Sequence, residues 1–173
     1  MEAREAAWEG CVVGTSSGTT TSPPYGAYAS IMATFVGGVA LSGAAASRRG
    51  RHPRNQTWFD LAALALATFK AARTLATDEV TSFIREPFVE GQAVGEDSRP
   101  LQTGGFRQAA GELVTCSRCV GTWAAAGLVG TDILAPRFGR TLIWSLAIGG
   151  ANDWLQAGFV ALTGFANRAQ RSS

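Results

Sequence analysis

At 173 residues the chain has the length of one domain with a core of its own. Only 16% of its residues are charged, against roughly 25% in soluble globular domains, and a net charge of +2 with no basic, aromatic-interleaved face leaves no footprint for nucleic acid. Three cysteines cannot make a disulfide framework, and with one histidine a zinc site within one subunit would need carboxylates, so no metal or cofactor is expected.

The mean hydropathy of +0.09 conceals segregation, because long uncharged runs alternate with loops that hold nearly all the charge. Residues 1–24 form a polar extension, with acids at Glu2, Glu5 and Glu9 and a Thr/Ser run up to Pro23-Pro24. No charged segment leads directly into an apolar core, so this is not an ordinary signal peptide, and the Thr/Ser run reads as a disordered linker. Tyr25 to Ser47 then gives 23 residues without a formal charge. As a helix these rise roughly 34 Å, enough for a hydrocarbon core of about 30 Å. Gly37, Gly38 and Gly43 would flatten one side for close helix contact. Arg48, Arg49, Arg51 and Arg54 follow at once, the usual mark of a cytoplasmic flank.

The second apolar segment, Thr57 to Ala76, carries Asp60, Lys70 and Arg73 on one arc with Thr74 and Thr77, opposite Leu61, Leu64 and Leu75. It reads either as a surface-lying amphipathic helix or as a span whose polar stripe faces a bundle interior, and its Ala- and Leu-rich first half favours the span. From Thr77 to Glu112 the chain is polar, with seven acids and three arginines. Within it, Asp78 to Phe88 predicts a short amphipathic helix capped by Thr77 or Asp78 and ended by Pro87, lying at the headgroup interface with Arg85, Pro87 and Phe88. Residues 90–105 read as flexible. A third segment runs from Leu113 to about Ala135, with Arg118 at its head and Asp132 near its tail. Pro136, Arg137 and Arg140 predict a tight basic turn. The fourth segment, Thr141 to Ala166, holds Asn152 and Asp153, and residues 168–173 form a tail. Trp58, Trp123 and Trp144 fall near segment ends as interfacial anchors do, whereas Trp154 is central and reads as core.

The expected fold is therefore all-α: a four-helix integral membrane bundle over residues 25–167, multi-pass in the cell membrane, with a short amphipathic segment between helices two and three. The short loops at 48–56 and 136–140 hold six arginines, which places them inside and both termini outside. Lys70 lies 13 residues from the inner start of helix two and Asp153 lies 12 from that of helix four. Both are then roughly 18–20 Å deep, which predicts that they pair. Asp60 and Asp132 fall toward the inner end near Arg137 and Arg140, and Arg118 toward the outer end near Asp78 and Glu79.

Three pieces carry a family resemblance: Asp78 to Phe88 with its Ile84-Arg85-Glu86-Pro87-Phe88 ending, Gly111-Glu112-Leu113, and Cys116-Ser117-Arg118-Cys119-Val120-Gly121-Thr122-Trp123. Over roughly residues 57–165 the chain resembles the bacterial domain-of-unknown-function 1360 family, small multi-spanning membrane proteins. The resemblance implies an integral membrane location and brings no catalytic residues, since the family's biochemical role is undefined. Ser117-Arg118 stands where relatives often have proline and an aromatic.

Cys116 and Cys119 admit four readings: two small thiols packing a helix start, a disulfide across its first turn, a redox pair, or half of a Cys₄ metal site in a dimer. At a helix N-terminus the first thiol is favoured as thiolate, and Arg118 adds positive charge. No Walker loop or dinucleotide fingerprint occurs, and Gly14 to Gly18 only loosely matches a serine elbow. The leading expectation is a non-enzymatic scaffold, contacting the bilayer and a membrane-protein partner or a second copy, with no nucleic acid. A thiol–disulfide oxidoreductase using Cys116 and Cys119 is the alternative. An oligomeric channel, resting on the polar stripe of helix two, is the second alternative.

Overall fold

A computed structural model of the chain describes residues 23–50, 56–91 and 98–171. Trp8, Cys11, Gly14 to Gly18 and His52 lie outside the described residues. Helices dominate. α1 spans Tyr25–Arg48 and begins directly after Pro24, whose fixed φ suits a helix start. At its other end Gly50 adopts φ +63°, a conformation that favours glycine after a helix C-terminus. α2 spans Trp58–Thr77 and opens with a capping box: the Thr57 hydroxyl accepts from the Asp60 N–H, and the Asp60 carboxylate accepts from the Thr57 N–H. A 3₁₀ turn at Glu79–Thr81, a one-turn helix α3 at Ser82–Arg85 and a second 3₁₀ turn at Glu86–Phe88 follow. Neither Thr77 nor Asp78 caps this stretch through its side chain. Asp78 offers its carbonyl instead. β1 (Val89–Glu90) and β2 (Arg99–Pro100) then pair antiparallel, Val89 opposite Pro100 and Glu90 opposite Arg99. Part of the stretch expected to be flexible is thus hydrogen-bonded.

α4 covers Phe106–Thr115 and α5 covers Ser117–Leu134. The continuous helix expected from Leu113 to Ala135 is broken: Cys116 sits between the two in extended conformation and they meet at 87°. α6 runs from Pro136 to Arg171. Pro136 opens that helix rather than a turn, which puts Arg137 and Arg140 on its first coil. Four of the residues expected to form a C-terminal tail, Arg168 to Arg171, continue the helix.

Contacts along the helices fix the topology. Asp60 meets Arg140, Leu66 meets Gly150 and Lys70 meets Asp153, so α2 and α6 run parallel. Tyr28 meets Glu112, Phe35 meets Trp123, Ser42 meets Gly130 and Arg49 meets Ile133, so α1 and α5 run parallel. Ala72 and Ala76 cluster with Val120, and Ala63 and Ala67 with Leu128, so α2 opposes α5. One end of the molecule collects Arg48, Arg49, Arg137 and Arg140. The other collects α3, the two strands and α4.

Among the described residues the central buried cluster comes from three helices. Ala63, Ala67, Leu128 and Ala147 from α2, α5 and α6 form its centre, flanked by Leu66, Leu142 and Leu146. α1 buries no residue fully and packs chiefly on α5 and α4. Its Gly37, Gly38 and Gly43 face open space, contrary to the expectation that they mark a contact face. The close approaches lie elsewhere. A Cβ at Gly150 would stand 2.6 Å from the Leu66 carbonyl oxygen, and one at Gly139 would stand 2.5 Å from the Asp132 Cα. Small residues at these two points let α6 touch α2 and fold back on α5.

Candidate functional site

The site grows out of the break at Cys116. α4 is amphipathic, and its buried Gln108 ties the approach together. Gln108 accepts from the Gly104 N–H at 2.9 Å and donates to Glu112 at 2.9 Å. Glu112 also accepts from the Tyr28 hydroxyl of α1. Gly111 passes so close to the Phe88 carbonyl that a Cβ there would collide with it. With α4 held on two sides, α5 has to leave at an angle, and Cys116 takes the extended conformation that makes the corner.

Arg85 holds the other side. It is fully buried, at 0% exposure, rather than lying at a headgroup interface as expected. Its guanidinium donates to the carbonyls of Leu75 at 2.9 Å and Asp78 at 3.1 Å and to the Thr81 hydroxyl at 3.0 Å. The first two acceptors lie at the C-terminus of α2, where carbonyls lack helical partners and carry negative partial charge. Arg49 does the same for α5, donating to Ile133 at 2.6 Å and Leu134 at 2.8 Å. Pro87 is exposed and offers its carbonyl to Arg107 at 2.6 Å, and Phe88 is half-buried. Trp123 sits edge-on to Phe35 at 5.1 Å. Trp154 is 62% exposed beside Phe69, not in the core.

At the head of α5 the Cys119 and Cys116 sulfurs are 2.9 Å apart, with Cys119 exposed and Cys116 half-buried. No group of three or more His, Cys, Asp or Glu side chains among the described residues is placed to hold a metal ion. From this corner a groove of about 690 Å³ runs between α2 and α5. Leu61, Leu64, Ala65 and Phe69 line its far part. Arg73, Thr77, Ser117 and Arg118 line the end nearest the cysteines. Arg73 and Arg118 are exposed to this groove instead of buried. The expected pairing of Arg118 with Asp78 and Glu79 is not made; Arg118 lies instead in the groove beside Arg73 and Thr77, and among the described residues neither arginine is ion-paired.

Deeper in the molecule Lys70 donates to Asp153 at 3.0 Å, each side chain about a third exposed. Arg140 reaches Asp60 at 3.5 Å. Asp132 lies against the α5–α6 turn through its backbone. Lys70→Ala and Asp153→Ala should each destabilise the protein by about 2 kcal/mol, between the exposed and buried limits for ion pairs. The double variant should cost no more than either single one, as read by thermal unfolding in detergent. Additive losses would show that the two charges act independently.

Sequence reasoning missed the Glu112–Tyr28 contact, the two arginine caps and the role of Gly150. Only the last had a local signal: Gly149-Gly150 interrupts a bulky apolar run just before Asn152-Asp153.

The family model described as "Protein of unknown function (DUF1360)" matches residues 63–159. That span takes in the three-helix core and the corner but not α1. Two curated proteins of Bacillus subtilis (strain 168) are similar. "UPF0713 protein YngL" is 31% identical over 99 residues, 54% of this chain and 72% of that protein. "Sporulation protein YjcA" is 31% identical over 107 residues, 54% of this chain and 91% of that protein. No solved structure matches significantly.

Proposed function

The chain belongs to the DUF1360 family of proteins of unknown function, and we propose that it is a multi-pass integral membrane protein acting as a non-enzymatic scaffold. Its corner, built from α3, the strands, α4 and the head of α5, is the surface offered to a membrane-protein partner or a second copy. The observation that carries the membrane reading is where apolar surface is left uncovered. α1 is the one described helix that is by itself long and apolar enough to cross a bilayer, and none of its residues is fully buried. α6 beyond Asp153 exposes Trp154, Leu155, Phe159, Val160, Leu162 and Phe165 by 62–74% each. Water disfavours such continuous apolar faces and lipid does not. The bent pair α4–α5 passes the same test as one broken span. α2 carries Asp60, Lys70 and Arg73, and pairing of Lys70 with Asp153 and of Asp60 with Arg140 lowers the cost of placing it in hydrocarbon.

The 2.9 Å sulfur separation at the head of α5 favours a second reading, a thiol–disulfide oxidoreductase. In it the Cys116 and Cys119 thiols form one disulfide and give up two electrons and two protons, which reduce a quinone to a quinol. One experiment bears on both readings. In intact cells carrying the Cys11→Ser variant, a membrane-impermeant maleimide should label Cys119, whereas a cysteine placed at Ser47 should label only after permeabilisation. Recovery of the chain in a carbonate wash would overturn the membrane reading. Labelling of Cys119 that rises with reductant and falls with added quinone would replace the scaffold with the oxidoreductase.

A further inference from the structure

We propose that the groove between α2 and α5 is a binding site for one anionic glycerophospholipid, its phosphate held by Arg73 and Arg118 and one acyl chain laid along Leu64, Ala65 and Phe69. This rests on the membrane reading above and goes beyond it by naming a ligand class.

Length is the first argument. From Leu61 to Thr77 the groove wall on α2 rises about 24 Å at helical pitch. Half of a bilayer with its headgroup layer measures about 20–22 Å. Measured from Arg73 to Leu61 the wall rises about 18 Å, against about 15 Å for half of the hydrocarbon core, so a phosphate at Arg73 leaves the length of one acyl chain along the groove. Polarity along it is the second argument. The α2 wall offers Leu61, Leu64, Ala65, Phe69 and Ala72, with Thr68 as the one hydroxyl among them, whereas both cationic groups, Arg73 and Arg118, gather with Thr77 and Ser117 at the end that meets the corner. An occupant has to be apolar over most of its length and polar at one tip, which describes an amphiphile and not a solute or a partner helix.

Charge is the third. Arg73 comes from α2 and Arg118 from the first turn of α5, both are exposed to the groove, and neither is ion-paired among the described residues. Elsewhere in this chain arginines are put to work on carbonyls, as Arg85 and Arg49 are. Two guanidiniums left over at the mouth of one apolar trough present planar donor forks that match the multiply accepting oxygens of a phosphate. They also leave net positive charge after a single phosphodiester is bound, which selects a lipid with no compensating ammonium.

The full chain, purified in mild detergent, is titrated with phosphatidylglycerol or phosphatidylcholine of matched acyl chains and read by native mass spectrometry. Phosphatidylglycerol should bind as one copy per chain at least tenfold more tightly than phosphatidylcholine. R73Q with R118Q together should erase that preference, and R73K with R118K should restore most of it. Ala65→Trp, which fills the trough and leaves both arginines, should weaken the lipid tenfold without altering helicity by circular dichroism. Glycerol phosphate alone should not bind measurably. If it competes as well as the lipid, the site is a headgroup-sized anion site and the proposal fails. Equal binding of the two lipids, or a chain dimer that Ala65→Trp dissolves, also overturns it, the latter by showing a second copy in the groove. Retention of the wild type in carbonate-washed membranes separates these failures from failure of the membrane reading. Release would overturn both.

Discussion

Gly150→Ala is expected to destabilise the protein by about 2–3 kcal/mol, the upper part of the roughly 1–3 kcal/mol range for forcing extra atoms into a filled contact. The added Cβ would lie 2.6 Å from the Leu66 carbonyl oxygen and 3.3 Å from its carbon. Both atoms belong to the backbone of α2, so no rotamer change relieves the clash and the two helices have to separate. Separation would also stretch the neighbouring Lys70–Asp153 pair. Gly149 provides a matched control one residue away. A Cβ there meets only the Lys70 side chain at 3.7 Å and beyond, which is ordinary contact, and alanine removes the conformational freedom that glycine brings to a helix. Gly149→Ala should therefore be neutral or mildly stabilising. Thermal unfolding of the two variants in the same detergent decides the matter, and equal effects would show that α2 and α6 do not touch at Gly150.

Arg85→Ala is expected to cost about 3 kcal/mol or more, measured the same way. Three acceptors lose a charged donor at once, two of them carbonyls at the end of α2, and each such bond to a charged group contributes about 1.5–3 kcal/mol. Arg85→Lys should recover less than half of the loss, because one ammonium does not reproduce the planar fork that spans Leu75, Thr81 and Asp78. A loss below about 0.5 kcal/mol for Arg85→Ala, the range for ordinary surface changes, would mean that water or neighbouring groups take over the capping. Since this arginine lies within the Ile84-to-Phe88 element, the result also tells whether that motif serves the fold or a partner.

Family membership and a largely helical fold were both legible in the residues. Long apolar stretches with few charges mark α1, α2, α5 and α6, since helix rise and charge segregation are local properties of the chain. The level match of Lys70 with Asp153 could be counted from the segment starts for the same reason. The second apolar segment is placed from Thr57 by its residues, and the structure adds the Thr57–Asp60 capping box that starts α2 there.

Tertiary structure decided the rest. Nothing in Leu113 to Cys119 breaks a helix: there is no proline and no glycine, and the 87° corner at Cys116 follows from α4 being held by Tyr28, 84 residues earlier, and by the Phe88 carbonyl over Gly111. Arg85 looked like an interfacial charge because charged side chains are normally solvated. It is buried because folding brings otherwise unpaired carbonyls around it. The glycines of α1 looked like a contact face because small residues permit close approach, but permission is not contact. The approach occurs at Gly150 and Gly139, where the partner backbone arrives. Periodicity and composition describe what each helix can bury, whereas which surface it does bury depends on where distant residues hold its ends.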